Sequence, residues 1–351
     1  MAGPQASAVF VPPAEEFTIP ELRFATQTIV DAQGQVAGSE LLFRWNSADA
    51  PVSPHLGAYA TATALCNALL DGQWLTELRP DAPVGSLCVN MDERYLLSPM
   101  AEALTPDVGV IELLETMTLT PEVRRRVQAL HQRGYRFSLD DVESSDDPRW
   151  ALAEFVESVK VDVRATPADQ LEPMIRMART SGLRVVAEKV ETDEEKACLV
   201  SHGVALFQGY AIQRPVTQRV RALPGCQAPL LGLLYEQAQD GAKVEALSVL
   251  AESDPALVLR LLRLQALHAP REVALSLDMT DVLASLPRPV LVGWLTQMNV
   301  AAVHGRGRER VLLAKQAQMR FCAQLQSEPG WSVAARRRRL FAHYRALVQT
   351  L

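Results

Sequence analysis

The residues able to do chemistry recur at one kind of place. Glu40, Asn90, Glu112, the pair Asp140-Asp141, Lys160, Glu188 and Gln208 each stand in or just beyond a short apolar, strand-like run. Carboxylate and amide oxygens are hard donors of the kind that magnesium-class cations take. Carboxylates placed repeatedly after strands, in a chain that alternates strand and helix, predict one acidic site at the mouth of a barrel, holding divalent metal ions.

The elements that must position these residues follow from pattern. Arg23–Val30 and Val36–Trp45 read as extended runs around a hairpin turn at Asp31–Gly34. Ala58–Leu78 has helical spacing, and Leu87–Met91 and Gly109–Leu114 are short strands. Pro121 opens a helix that Gly134 closes. Tyr135–Leu139, Val159–Val163, Leu183–Ala187 and Leu206–Phe207 are further strands, with helices at Pro167–Thr180 and Asp193–Ser201. Strand–helix repetition implies parallel strands with helical crossovers. The fold class predicted is α/β, a (β/α)8 TIM-type barrel with one antiparallel strand, followed by an all-α domain. Catalytic groups of such barrels lie at the carboxyl ends of the strands. From about Leu223 strand signals stop. Ser253-Asp254-Pro255 is a helix start, Leu257, Leu261, Leu264 and His268 line one face, and Val290–Met298 and Glu309–Leu325 are helical. The division expected is a loose tail at 1–20, a barrel at 21–222 and a helical domain at 223–351.

Composition narrows the function classes. Of 351 residues, 48% are hydrophobic, enough for a packed core, and 22% are charged. A net charge of −6 disfavours sequence-independent nucleic-acid binding, which needs a basic surface. The tetra-arginine at 336–339 reads as a solvated helix face. Five scattered cysteines without a CxxC pair read as reduced thiols of a cytoplasmic protein. No membrane span or signal peptide is expected.

Several motifs occur in a fixed order. They are Glu40-Leu41-Leu42 within ExLxRW, Val89-Asn90, Glu112-Leu113-Leu114-Glu115, Asp140-Asp141, Lys160-Val161-Asp162, Ala187-Glu188-Lys189-Val190-Glu191-Thr192, and Gln208-Gly209-Tyr210 followed by Pro215. Over roughly residues 21–222 the chain resembles EAL-domain proteins, the phosphodiesterases that open the bacterial second messenger cyclic di-GMP. The helical remainder resembles a shortened HDOD domain through Ser253–Leu257 and Leu261–Leu264, a much less specific likeness.

The resemblance implies roles. Glu40, Asn90, Glu112 and Asp140 would hold one Mg²⁺ or Mn²⁺, and Asp141 and Glu188 would serve a second, with Asp140 bridging. Lys160 would position the attacking water, with Glu191 and Gln208 orienting ligands and water. Arg44 would bind a phosphate of cyclic di-GMP, beside Leu42 and Glu115. A homodimer and a signalling partner reached through the helical domain are also implied. Bland readings stand beside these: Glu115 is equally a solvated loop carboxylate, and an isolated Lys160 would be a surface lysine.

The pattern also breaks. Where the family has Phe-Gly after the paired aspartates, this chain has Val142-Glu143-Ser144-Ser145-Asp146-Asp147-Pro148. The glycine is lost and three acids are added beside the site. Lys189 replaces a glycine and is expected to pair with Glu188 and compete with metal. Two functions follow: a metal-dependent cyclic di-GMP phosphodiesterase, or a degenerate EAL domain acting as receptor or scaffold.

Overall fold

The computed structural model describes residues 21–46, 52–78, 83–268 and 276–301. The expected tail at 1–20, the helix at Glu309–Leu325 and the tetra-arginine lie outside the described residues.

Strands β1 (Glu21–Asp31) and β2 (Val36–Phe43) form the expected hairpin. Its turn is closed by Gly34 at φ 79° and by the Asp31 carboxylate, which accepts from Gln35 N at 2.8 Å. A positive φ is cheap only for glycine, which is why the turn falls there. From β2 the sheet runs in parallel through β3 (Leu87–Met91), β4 (Gly109–Leu113), β5 (Arg136–Leu139), β6 (Ser158–Asp162), β7 (Arg184–Glu188) and β8 (Leu206–Phe207). β8 then pairs with β1 through Val30 and Asp31, and the barrel closes. β1 is the one antiparallel member of this eight-stranded ring. A ninth strand, β9 (Val216–Arg221), extends the sheet along residues 21–26 of β1 and was not expected.

Crossover helices cover the barrel. They include α1 (Gly57–Leu65), α2 (Glu93–Leu97), α3 (Pro121–Gln132), α4 (Ala168–Thr180) and α5 (Asp193–Ser201). α3 starts where Thr120 Oγ1 accepts from Val123 N, has Pro121 in its first turn, and buries Val123, Val127 and Leu130 on one stripe. The long helix expected over Ala58–Leu78 is interrupted. After α1 the chain widens into π-type turns at Cys66–Asp71 and Trp74–Leu78, with Gln73 left-handed at φ 48°. The Asn67 side chain donates to Arg23 O of β1, so the break is fastened to the sheet.

Helices α6 (Ala228–Gln239), α7 (Val244–Glu252), α8 (Pro255–His268), α9 (Met279–Ser285) and α10 (Arg288–Val300) follow. Asp254 caps α8 as expected, accepting from Ala256 N at 2.9 Å and also from Gln227 N at 2.6 Å. These helices share one apolar core with the barrel. α10 lies on the turn Pro99–Ala103, where a Cβ on Gly293 would meet Pro99 O at 2.8 Å. Among the described residues no helix is long and apolar enough to cross a membrane.

Candidate metal centre at the barrel mouth

Side chains alternate across a strand, so residues two apart share a face. Gly38, Glu40 and Leu42 of β2, Cys88 and Asn90 of β3, Val110 and Glu112 of β4, and Ser158, Lys160 and Asp162 of β6 therefore share the inner face. Strand register carries Asn90 beside Glu112, and Asp162 beside Glu188. The carboxyl ends of the parallel strands thus deliver their polar residues to one level.

Lys160 is the centre of that level and only 1% exposed. Its Nζ lies 2.8 Å from Asp140 Oδ1, 2.9 Å from Glu188 Oε1, 3.1 Å from Glu112 Oε1 and 3.2 Å from Glu40 Oε2. Glu40 also accepts from Asn90 Nδ2 and from Gln208 Nε2, both at 2.6 Å. Gln208 is tied in addition to Gln27 Oε1. Burial works to raise the Glu40 carboxyl, but Lys160, Gln208 and Asn90 outweigh it and hold the group below its usual range. Burial and the neighbouring carboxylates push Glu112 well above the usual range against the pull of Lys160. They lift Glu188 to about 8. Burial opposes the charge on Lys160, yet the four carboxylates keep it firmly protonated.

Among the described residues no ready-made cage of acidic, His or Cys ligands stands open, because the Lys160 ammonium gathers the carboxylates onto itself. The donor set nevertheless fits a hard divalent cation. Four carboxyl groups face one ammonium, and a divalent cation would supply the counter-charge that protons on Glu112 and Glu188 otherwise provide. Beyond the carboxylate oxygens that Lys160 meets, Asn90 Oδ1, Glu112 Oε2, Asp141 Oδ1 and Gln208 Oε1 are buried with no hydrogen-bond partner. Buried acceptors left in this state are costly unless a donor or cation meets them.

A groove of about 390 Å³ opens above the cluster, lined by Gln27, Leu42, Arg164, Lys189, Tyr210 and Pro215 among others. Glu191 lies on its rim and pairs with Arg164 at 2.7 Å, outside the carboxylate cluster. Arg44 donates to the neighbouring Phe43 O at 2.8 Å and is not part of the groove lining. Glu115 is exposed, close enough to Asp141 to raise its pKa after burial and other acids. The sequence reading therefore placed Glu40, Asn90, Glu112, Asp140, Lys160, Glu188 and Gln208 where the structure brings residues together. Glu191, Arg44 and Glu115 stay peripheral.

Over residues 14–215 the chain matches the family model described as EAL domain, more than half its length. The chain belongs to the EAL-domain family. The cyclic di-GMP phosphodiesterase CdgJ of Vibrio cholerae is 28% identical over 266 residues, covering 74% of this chain and 60% of that protein. The uncharacterized protein YuxH of Bacillus subtilis is 31% identical over 198 residues, covering 54% of this chain and 46% of that protein. The chain thus spans less than two thirds of these relatives. Among solved structures, the manganese/cy-diGMP complex of Klebsiella pneumoniae BlrP1 is similar with a TM-score of 0.46 and 23% identity, over 60% of this chain and 59% of that one.

Two features of this EAL domain differ from the sequence reading. Lys189 does not hydrogen-bond Glu188. Its backbone is left-handed at φ 59°, and its ammonium turns to Asp162 Oδ2, with Asp141 Oδ1 at 3.9 Å. The added acids after Asp141 also behave differently from a free negative patch. Asp147 is clasped by Arg149, 2% exposed, whose guanidinium also donates to Leu113 O and Asp140 O. Arg149 was missed because its buried role depends on the turn Pro148–Phe155, which brings it back under β5. Glu143 and Asp146 are exposed.

Proposed function

We propose that the protein is a metal-dependent phosphodiesterase that hydrolyses cyclic di-GMP to the linear dinucleotide pGpG. The observation that carries this reading is the convergence of Glu40, Glu112, Asp140 and Glu188 on Lys160, with unpartnered oxygens beneath an open groove. Glu40, Asn90, Glu112 and Asp140 would hold Mg²⁺ or Mn²⁺, with Asp141 and Glu188 toward a second position. A bound divalent cation offsets phosphoryl charge and makes water a better nucleophile. Lys160 keeps a fixed positive charge where negative charge grows during attack. Gln208 and Gln27 fix the orientation of Glu40. Glu188, titrating at about 8, can hold or release a proton near neutral pH. Tyr210, exposed on the rim with Arg214 4.2 Å from its ring centre, offers a flat face suited to a purine. The similarity to the cyclic di-GMP phosphodiesterase CdgJ of Vibrio cholerae supports the same substrate.

One observation favours a second reading. The segment after Asp141 is pinned by Val142, fully buried, and by the Arg149–Asp147 clasp. A domain whose loop is fixed in this way suits a cyclic di-GMP receptor or interaction scaffold. The test is purified protein with cyclic di-GMP and Mg²⁺ or Mn²⁺, products separated by chromatography. We expect pGpG with metal and none with a chelator. Saturable binding without product would favour the receptor; no binding would remove both readings.

We assign residues 1–20 to a tail, 21–222 to the EAL barrel and 223–351 to a shortened HDOD-like region in an EAL–HDOD arrangement. The helical region would carry the surfaces for a signalling partner and for homodimer contacts, in a cytoplasmic protein acting on neither membrane nor nucleic acid.

A further inference from the structure

We propose that Lys189 is a resident cation: its ammonium occupies the place beside Asp141 where a second divalent ion would bind, so that each chain takes one such ion. The inference rests on the reading of the barrel mouth as a divalent-cation site.

The geometry of Lys189 is unusual for a surface lysine. It directly follows Glu188 at the carboxyl end of β7, and its φ of 59° is a conformation that side-chain-bearing residues rarely adopt. That conformation lays the side chain along the rim of the mouth, where it stays half exposed while its ammonium reaches Asp162. The ammonium then hydrogen-bonds Asp162 Oδ2, while Asp162 Oδ1 accepts from Arg164 N at 2.7 Å and Ala165 N at 3.0 Å. Asp162 is thereby fully occupied. Asp141 is also left-handed, at φ 47°, and its Oδ1 is buried without a hydrogen-bond partner. Lys189 at 3.9 Å is its one ion-pair partner among the described residues.

Charge separates the two halves of the mouth. Around Lys160, four carboxyl groups face one ammonium, enough oxygen donors to receive a divalent ion in exchange for protons. Around Lys189, Asp162 is already spent in hydrogen bonds and Asp141 is the other carboxylate paired with the ammonium, while Glu188 acts on Lys189 and Glu115 and Glu143 act on Asp141 without pairing. A divalent ion at Asp141 would sit within a few ångströms of a fixed positive charge in a partly buried setting, where like charges repel strongly. Lysine there also gives the groove a compact cationic donor, since Lys189 lines it beside Arg164.

The test counts ions without requiring turnover. Mn²⁺ is titrated into the full chain by calorimetry and equilibrium dialysis, and its electron paramagnetic resonance is recorded. Wild type should bind one Mn²⁺ per chain with the spectrum of an isolated ion. Lys189→Gly and Lys189→Met should each bind two, with the spin coupling expected of ions about 4 Å apart. Glycine relieves the left-handed backbone, whereas methionine keeps it, so lost charge is the feature the variants share. Adding Asp141→Asn to Lys189→Met should return the count to one. Two ions in wild type, or one in both single variants, would overturn the inference while leaving the metal reading intact. No ion in wild type would overturn both.

Discussion

An ammonium that is 1% exposed and lies within 3.2 Å of four carboxylates is stable only because it is so surrounded. Removing one partner of a buried ionic cluster leaves uncompensated charge, which typically costs about 3–5 kcal/mol. Lys160→Met should therefore lower the melting temperature without divalent metal, and saturating Mn²⁺ should restore most of the loss by supplying the missing counter-charge. Thermal melts with and without Mn²⁺ check this, and an unchanged melting temperature in the metal-free variant would refute it. Strand parity made the inward set Glu40, Asn90, Glu112 and Lys160 legible, because the alternation is fixed by backbone geometry. Residues past a strand end escape that rule. Arg44 folds back on Phe43 O, Glu191 leaves with the cap of α5, and Lys189 turns to Asp162 through a left-handed backbone that no periodicity encodes.

Elements hold this centre through close backbone contacts more than through propensity. Gly209, between β8 and the rim, has φ 151°, and a Cβ there would lie 2.2 Å from Val190 O and 2.3 Å from Val190 N. Val190 N in turn donates to Gln208 O, so the β7 and β8 loops are locked together at the residue that orients Glu40. Gly209→Ala must displace backbone, and should cost at least about 2 kcal/mol. Urea unfolding should show this, with weaker Mn²⁺ binding alongside; a midpoint equal to wild type would contradict it. The parallel strands and their helices were readable because short apolar runs are bounded by caps and glycines, as at Thr120, Pro121 and Gly134. β9 was not. Its side chains are mostly exposed, it has no apolar face, and its existence depends on backbone pairing with residues 21–26 of β1. The π-type turns after α1 were likewise hidden, since they arise from tertiary ties such as Asn67 to Arg23 O.

At the scale of the molecule, the helical region is fastened to the barrel at polar points set within a shared apolar core. Arg260, 2% exposed, pairs with Asp71 at 3.1 Å, and Arg263 donates to Asp71 O at 2.9 Å. His268, at the end of α8, makes the contact that should respond to pH. Trp294 Nε1 of α10 donates to His268 Nε2 at 3.0 Å, so Nε2 must carry a lone pair. The ring proton then sits on Nδ1, 3.3 Å from Thr105 Oγ1 of the barrel. Burial lowers the His268 pKa to about 4, against 6.5 for a free imidazole. Between those values the unfolded chain binds a proton that the folded chain refuses. The stability from neutral His268 is therefore complete above pH 6.5 and is lost as pH falls toward 4. A difference of this size corresponds to about 3 kcal/mol. Protonation would also set an imidazolium N–H against the indole N–H. His268→Gln keeps an acceptor for Trp294 but removes the titration. Urea unfolding followed by tryptophan fluorescence at pH 7.5 and pH 4.5 should show a larger loss in wild type than in the variant. Equal losses would mean that docking of the helices on the barrel does not depend on His268 staying neutral.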